Sequence, residues 1–329
     1  MDIKAIQGYL GENWLAVGKR ISDALHSDID LLNSTNESIL SHSGKQMRPM
    51  LTLLMADACS SEGIADSTIS YAAASELLHN ATLLHDDVAD GSTKRRGVPT
   101  IMSLMGPSVS VLVGDYWLVK AMDLIMDADE EDKGARVMRI FSKTLKDLAA
   151  GEMLQLQKAQ TGDTDEQDYL RIIYSKTASL FEAACVSAAM SVGASKEYVE
   201  AARAYAVALG IAFQIQDDIL DYAGTDAVGK PLGADILEQK ITMPLLGALA
   251  NADEATAASI REKIEAIVGH PEYRDEILDF VRTNGGLDYA VSSLDRYVAQ
   301  AVDALSVLPE SVSKKYLVEL AYFTAKRKM

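Results

Sequence analysis

Apolar residues recur at intervals of three and four positions along most of the chain, whereas strict alternation of apolar and polar residues is scarce. The first spacing is typical of amphipathic helices and the second of half-buried strands. The pattern therefore predicts a chain that is helical almost throughout. The predicted helices cover residues 3–25, 29–42, 47–60, 66–90, 107–127, 131–159, 166–192, 196–222, 242–251, 254–268, 271–284, 286–306 and 309–327.

Composition and charge narrow the class of protein. The 329 residues are 48% hydrophobic, enough for a large core, and the low content of proline and aromatic residues favours helix over sheet. Length alone would suit about two domains, but no linker-like or highly charged stretch divides the chain. We therefore expect one all-α domain over residues 1–329. The net charge of −17 argues against binding to nucleic acid.

The terminus and the cysteines indicate a cellular location. The N-terminus carries early charges and does not resemble a signal peptide. No stretch reaches the ~18 uncharged apolar residues that a membrane span requires. Cys59 and Cys185 are isolated in apolar surroundings, as is typical of core cysteines in a reducing cytosol. We expect a soluble, cytoplasmic protein.

One acidic pattern occurs twice, at the end of apolar, helix-like segments. The two copies consist of Asp86, Asp87 and Asp90 and of Asp217, Asp218 and Asp221. Residues i and i+4 of a helix share a face about 6 Å apart along the axis, so each copy brings three carboxylates close together. Like charges this close repel unless cations or protons neutralise them. Two such clusters facing each other would bind several divalent ions, and Mg²⁺ fits best because it favours carboxylates together with substrate phosphate oxygens.

Each acidic copy continues a polar stripe on an otherwise apolar helix. The first stripe consists of Ser75, His79, Thr82, Asp86 and Asp90, and the second of Gln214, Asp217, Asp218 and Asp221. A polar stripe of this kind requires either solvent or a polar cavity. Its duplication in the chain favours the cavity.

Cationic residues lie in loops next to these stripes. Each acidic copy is followed by a loop, at residues 91–100 and 223–235. The first loop carries Lys94, Arg95 and Arg96, and the second carries Lys230. Lys45 and Arg48 lie one turn apart at a predicted helix start, where backbone amides also attract anions. Each cation alone is no more than a typical surface residue, and the P-loop pattern is absent. Carboxylates that can bind a metal nevertheless lie beside cations that can bind an anion. This combination indicates a ligand made of metal ions and phosphate.

Two other metal sites do not fit the sequence. A calcium loop starting at Asp86 requires an oxygen ligand at its third position and Glu at its twelfth, where Val88 and Gly97 stand. A di-iron helical bundle requires two Glu-x-x-His pairs, and the sequence has the single pair Glu76 and His79. The chain also lacks a convincing nucleophile–base pair, which chemistry driven by metal ions and a departing pyrophosphate would not need.

These motifs resemble those of the trans-isoprenyl diphosphate synthases, the polyprenyl synthetases. The segments DDVAD and DDILD are similar to the two aspartate-rich motifs of that family, and SGKQMRP is similar to its Gly-Gly-Lys-x-x-Arg-Pro segment. Further segments match in order along nearly the whole chain. The departures, Ser43 and Gln239, leave every charged matching position intact.

The resemblance implies a fold and an activity. The fold would be an isoprenoid-synthase-like bundle of helices around a deep central cavity, in a chain that forms a homodimer. The enzyme would be a Mg²⁺-dependent prenyltransferase that condenses isopentenyl diphosphate with an allylic diphosphate, farnesyl or geranylgeranyl, head to tail (1'-4). About three Mg²⁺ ions would bind with the substrate diphosphate, and the product would be released to the membrane surface without a membrane span.

The resemblance also implies the roles of individual residues. Asp86 and Asp90 would ligate two Mg²⁺ ions and Asp217 a third, supported by Asp87, Asp218 and Asp221. Isopentenyl diphosphate would be held by Lys45, Arg48, His79 and Arg96. The allylic diphosphate would be held by Arg95, Lys176, Thr177, Gln214, Lys230 and Lys240.

Small residues before the first motif predict a long product. Family members that stop at short products carry bulky aromatics four or five residues before the first aspartate, where this chain has Thr82 and Ala81. Trp117 is a candidate floor of the product tunnel, or ordinary core. We expect an all-trans product longer than geranylgeranyl diphosphate, of the quinone side-chain type.

Three rival functions remain open at this point. A short-chain farnesyl or geranylgeranyl diphosphate synthase differs only in product length. A class I terpene cyclase has no second diphosphate to hold, and the residues predicted to bind isopentenyl diphosphate argue against it. A silent partner subunit is disfavoured because the aspartates of both motifs are intact.

Overall fold

A computed structural model of the chain describes residues 2–42, 44–95, 97–132, 136–223 and 232–326. The helices are α1 (Ile3–Leu25), α2 (Asp30–Ser41), α3 (Met47–Cys59), α4 (Asp66–Ala89), α5 (Ile101–Met105), α6 (Pro107–Asp132), α7 (Arg136–Thr161), α8 (Glu166–Ile173), α9 (Ser179–Ser191), α10 (Lys196–Ala223), α11 (Ala234–Leu237), α12 (Met243–Asn251), α13 (Glu254–Ala266), α14 (Tyr273–Thr283), α15 (Gly286–Ala304) and α16 (Val312–Lys326). Most begin and end within a few residues of the predicted bounds, so the prediction of an all-α chain is confirmed.

Local sequence explains several helix ends. Asp165 and Asp168 form a reciprocal capping box at the start of α8, and Asp253 accepts the backbone N–H of Thr256 at the start of α13. Pro244 stands in the first turn of α12, where its missing N–H costs nothing.

Three features of the structure were not predicted from the helical pattern. A hairpin pairs the strands β1 (Lys94–Arg95) and β2 (Val98–Pro99), with Arg95 opposite Val98. A π-helical turn, Tyr174–Ala178, separates α8 from α9 within the single predicted helix 166–192. Gly11 adopts a left-handed φ of 50° and kinks α1. None of these short features has a periodicity long enough to be read from the sequence.

The contacts divide the chain into two compact units. Unit 1 comprises residues 1–142, 183–203 and 307–317, and unit 2 comprises residues 143–182, 204–306 and 318–329. The single domain that the sequence predicts over residues 1–329 stays a prediction.

In unit 1, α4 is the central helix and packs against α1, α3, α5 and α6. The first three turns of α4 are almost entirely buried. Trp117 of α6 is fully buried and donates its indole N–H to the side-chain oxygen of Asn36, at 2.8 Å. The free cysteines Cys59 and Cys185 are both buried, as predicted. Burial raises the pKa of the Cys59 thiol to about 12, so this thiol stays protonated.

In unit 2, α12 packs against α8, α14 and α15. Two glycines bring α12 and α15 close together. A Cβ on Gly247 would lie 2.5 Å from Cβ of Tyr289, and one on Gly286 would lie 2.2 Å from the carbonyl oxygen of Pro244. Across the described residues, no helix is both long and apolar enough to cross a membrane.

Candidate active site

The first aspartate motif lies at the C-terminal end of α4, where polar residues replace the buried apolar ones. Asp87 is 4% exposed, and one of its carboxylate oxygens accepts a hydrogen bond from Nε of Arg95 at 2.9 Å. A terminal nitrogen of Arg95 forms an ion pair with the same oxygen, also at 2.9 Å. Asp86 is half-buried and Asp90 is exposed. The loop that carries Arg95 is closed by the Thr100 hydroxyl, which donates to the carbonyl of Ser92 at 2.7 Å. The hairpin therefore places a cation against the motif.

The helix α6 fixes the end of α4 in unit 1. The Ser110 hydroxyl donates to the carbonyl oxygen of Leu84 at 2.8 Å, and Nε2 of His85 lies 3.2 Å from a carboxylate oxygen of Asp115. The His85 ring lies against Gly114, where an added Cβ would be 2.4 Å from Nε2. These contacts, which the sequence did not predict, hold the residues just before Asp86 against a second helix.

The second aspartate motif lies at the end of α10 in unit 2. Asp218 is 2% exposed, and its two carboxylate oxygens accept from the Tyr169 hydroxyl at 2.5 Å and from Nε2 of Gln214 at 3.0 Å. The Gln214 carbonyl oxygen in turn accepts from the Thr177 hydroxyl at 3.0 Å. Four polar side chains from α8, the π-helical turn and α10 thus form one connected chain of hydrogen bonds.

Burial dominates the electrostatics of this second motif. Desolvation, and then the charge of Asp235, raises the pKa of Asp218 well above its ordinary value, while the hydrogen bonds from Tyr169 and Gln214 oppose that rise. Burial and the neighbouring carboxyl of Asp218 also raise the pKa of Tyr169. The phenol therefore stays protonated and acts as a donor to Asp218.

Asp221, the last aspartate of the second motif, binds the backbone. Its two carboxylate oxygens accept the N–H groups of Ala234 and Asp235, at 3.1 and 3.2 Å, at the start of α11. The Asp221 carbonyl also accepts the N–H of Gly233 at 2.9 Å. Asp221 therefore anchors the segment that returns toward Lys240.

A cavity of about 120 Å³ in unit 2 brings together four of the predicted site residues, which are Lys176, Gln214, Asp218 and Lys240. The ammonium of Lys176 lies 2.6 Å from Glu152 and donates to the side-chain oxygen of Gln155 at 2.9 Å. Lys240 pairs with Glu238. Cationic and amide groups converge on this cavity, as an anionic ligand requires.

Sequence reasoning missed several residues of this cavity. Tyr169, Gln155 and Lys158 also line it, and Lys158 pairs with Asp168 at 2.6 Å. Gln155 lies in the segment LAAGEMLQL, in which no pattern singles out one residue. Tyr169 carries no local signal, because its partner Asp218 lies 49 positions further along the chain.

The residues predicted to hold isopentenyl diphosphate lie in unit 1. Lys45 is exposed just before α3, Arg48 is half-buried in the first turn of α3, and His79 is half-buried on α4. Of the product-length candidates, Ala81 is fully buried, and the Thr82 hydroxyl donates to the carbonyl of His79 at 2.8 Å. Ser43, Arg96 and Lys230 lie outside the described residues.

Comparison with known proteins identifies the family. The polyprenyl synthetase family model matches residues 29–281. The chain belongs to the polyprenyl synthetase family. An octaprenyl diphosphate synthase of Haemophilus influenzae is 38% identical, over 99% of this chain and 98% of that one. An all-trans-nonaprenyl-diphosphate synthase (geranyl-diphosphate specific) of Rhodobacter capsulatus is 37% identical, over 94% of both chains.

The solved structures confirm the fold of this polyprenyl synthetase. The crystal structure of a decaprenyl diphosphate synthase from Rhodobacter capsulatus covers 100% of both chains, with a TM-score of 0.91 and 36% sequence identity. The all-α fold and the assignment as a prenyltransferase, which the resemblance implied, are both confirmed.

The chemistry of the two motifs fits the Mg²⁺ that polyprenyl synthetases use. Within the described ranges, no three His, Cys, Asp or Glu side chains are arranged as a metal site of their own. Protein groups donate hydrogen bonds to the carboxylates of Asp87, Asp218 and Asp221. These are the three aspartates to which the resemblance gave supporting roles.

Proposed function

We propose that this polyprenyl synthetase condenses isopentenyl diphosphate with an allylic diphosphate, farnesyl or geranylgeranyl, and extends it to a medium or long all-trans polyprenyl diphosphate for a quinone side chain. The observation that carries the proposal is the fully buried Ala81, five positions before Asp86. By the resemblance, a small residue at this position is compatible with a long product, whereas a bulky aromatic residue there goes with a short one. The octaprenyl and nonaprenyl diphosphate synthases similar to this chain over nearly its whole length support the same product class.

A shorter product is the second candidate. A short chain isoprenyl diphosphate synthase of Methanothermobacter thermautotrophicus is 31% identical over 94% of both chains. The difference between the two candidates is steric and not chemical, because both reactions use the same condensation step. Product length therefore decides between them.

Cationic and amide side chains would stabilise the departing pyrophosphate. When the allylic C–O bond breaks, the electron pair leaves with pyrophosphate, and Lys176, Gln214 and Lys240 would already be oriented toward its oxygens. Donors fixed before the reaction stabilise the developing charge without reorganisation at the moment of bond breaking. Arg95, which is held beside the first motif by Asp87, would act in the same way, together with Lys230. Thr177 would orient the Gln214 amide.

Asp86, Asp90 and Asp217 would hold Mg²⁺ together with diphosphate oxygens, and the metal would supply charge neutralisation to the leaving group. We propose about three ions, as in the resemblance. Asp87, Asp218 and Asp221 would support this arrangement through the protein contacts described above.

The second substrate would bind through Lys45, Arg48, His79 and Arg96. Held by its diphosphate, isopentenyl diphosphate would present its double bond to the allylic C1. A new C–C bond forms there, and the proton lost from the isopentenyl unit passes to the released pyrophosphate. Apolar walls would protect the cationic carbon from water.

A homodimer is part of the proposal. On α6, Leu112, Val119 and Met126 recur every seven residues with side chains that are 67%, 54% and 44% exposed. An exposed apolar stripe of this kind is typical of a helix that packs against another subunit. We also propose that the enzyme is cytoplasmic and that its product leaves at the membrane surface.

Loss of turnover in aspartate variants tests the chemistry. Asp86→Ala and Asp217→Ala should each reduce single-turnover condensation at least about a thousandfold, because each would remove a metal ligand. Asp23→Ala, which removes an exposed ion pair with Lys19, is the matched control and should keep the wild-type rate. Thermal melts should show all three variants folded. A wild-type rate in Asp86→Ala or Asp217→Ala would refute the metal assignment.

A further inference from the structure

The hydrogen-bonded chain in unit 2 ends on a residue with no assigned role. Tyr169 of α8 donates to Asp218, and Gln214 bridges Asp218 and Thr177. Asp218 and Gln214 line the cavity that Lys176 and Lys240 also line. Tyr169 is buried and lines the same cavity. Through Asp218, its hydroxyl is linked to the Gln214 amide.

The donors and acceptors of Asp218, Gln214 and Thr177 are matched in pairs. Asp218 accepts at both side-chain oxygens, from the Tyr169 hydroxyl at one and from the Gln214 amide nitrogen at the other. The Gln214 amide is then fixed on both sides, since its nitrogen faces Asp218 and its oxygen accepts from Thr177. One N–H of Gln214 remains to donate to a ligand in the cavity. Thr177 has a single hydroxyl proton, already given to Gln214, so it orients the amide and does not itself donate to the ligand.

We propose that Tyr169 is a positioning residue for the allylic diphosphate: through Asp218, its hydroxyl holds the Gln214 amide so that the remaining N–H points at the diphosphate. This rests on the proposed function, in which Gln214 contacts that diphosphate. Thr177 completes the same arrangement from the other side of the amide.

The burial of Asp218 explains why a hydroxyl is needed. Asp218 is 2% exposed, so without Tyr169 water would not readily replace the lost donor. A buried carboxylate oxygen without a partner is unstable, and Asp218 would turn to recover a donor. The Gln214 amide, which depends on Asp218 for its orientation, would turn with it. The loss would therefore appear as weaker binding of the allylic substrate and not only as lower stability.

The test compares two Tyr→Phe variants. Tyr169→Phe removes the donor to Asp218, and Tyr289→Phe removes a donor to another carboxylate in unit 2, Glu166, at 2.6 Å. Tyr289 lies outside the proposed binding residues. Affinities are measured with Mg²⁺ for the unreactive thio analogue of farnesyl diphosphate and, separately, for isopentenyl diphosphate. We expect roughly tenfold weaker binding of the analogue by Tyr169→Phe, with isopentenyl diphosphate within about twofold, and no change of either by Tyr289→Phe.

A double-mutant cycle separates positioning from a structural effect. If Tyr169 acts through Gln214, Tyr169→Phe in a Gln214→Ala background should weaken analogue binding by less than about twofold further. Fold-changes that multiply, or a Tyr169→Phe affinity equal to that of Tyr289→Phe, would overturn the proposal. If Tyr169→Phe does not fold, Thr177→Val provides the same test from the other end of the chain of hydrogen bonds.

Binding of the analogue by the wild-type enzyme distinguishes a failure of this proposal from a failure of the proposed function. A wild-type protein that does not bind the analogue refutes the proposed function and, with it, the role of Tyr169. A wild-type protein that binds the analogue, with Tyr169→Phe unchanged, refutes the positioning role alone.

Discussion

Lys176 illustrates how contacts within the protein fix single side chains of the cavity. Its ammonium already contacts Glu152 and Gln155, at 2.6 and 2.9 Å, so the side chain is ordered before any ligand binds. An ordered donor loses less conformational entropy when it meets the diphosphate. The same holds for Gln214, whose amide is fixed by Thr177 and Asp218.

Lys176→Ala should therefore weaken binding of the allylic substrate and spare isopentenyl diphosphate. A charge-assisted contact to phosphate contributes roughly 1.5–3 kcal/mol. Lys19→Ala, which removes an exposed ion pair with Asp23 on α1, is the control and should change neither affinity. Separate titrations with the two substrates are the measurement. Equal losses for both substrates in Lys176→Ala would contradict the division into two substrate sites.

Close contact between elements sets the geometry of this cavity. The π-helical turn that carries Lys176 and Thr177 meets α10 at Gly210, where an added Cβ would lie 2.5 Å from Cα of Ala178. The turn meets α7 at Gly151, where a Cβ would lie 2.6 Å from Cβ of Ser175. Since π-helical turns frequently occur at functional sites, the two glycines let the turn approach its neighbours closely enough for Thr177 to reach Gln214.

Gly210→Ala should disturb both the stability of the protein and the cavity. The added methyl group must push α10 and the π-helical turn apart, which costs about 1–3 kcal/mol and lengthens the bond between Thr177 and Gln214. Gly18→Ala in α1 is the matched control, because nothing lies within 4 Å of its added Cβ, and it should stabilise the protein by about 0.5–1 kcal/mol. Denaturant melts and titration with the thio analogue are the measurements. Unchanged stability and affinity in Gly210→Ala would show that the close contact at Gly210 is needed for neither property.

Much of the architecture could be predicted from the sequence, whereas the partners of the site residues could not. Long helices such as α4 and α10 repeat their apolar pattern over many turns, so their bounds follow from periodicity alone. The hairpin that carries Arg95 has two residues in each strand, too few for any alternation. The motif aspartates could be located, but which of them bind protein donors depends on contacts such as Tyr169 with Asp218, 49 positions apart.

The apolar stripe on α6 concerns the whole molecule, because the proposed homodimer would cover it. We expect the wild-type protein to sediment as a dimer. Val119→Glu places a charge in the middle of the stripe and should shift the protein to a monomer at micromolar concentration. Leu15→Glu, at an exposed apolar position of α1, is the control and should leave the dimer intact. A Val119→Glu variant that sediments like the wild type would exclude the stripe as the interface.

Chromatography of the reaction products tests the central claim most directly. The purified enzyme is incubated with Mg²⁺, labelled isopentenyl diphosphate and farnesyl diphosphate, and the dephosphorylated products are compared with prenyl alcohol standards. We predict a wild-type product longer than geranylgeranyl, and a product shortened toward farnesyl or geranylgeranyl in Ala81→Phe, because the added ring would occupy the volume through which we propose that the product chain passes. A wild-type product no longer than geranylgeranyl would contradict the proposed function, and an unchanged long product from Ala81→Phe would contradict the role of Ala81.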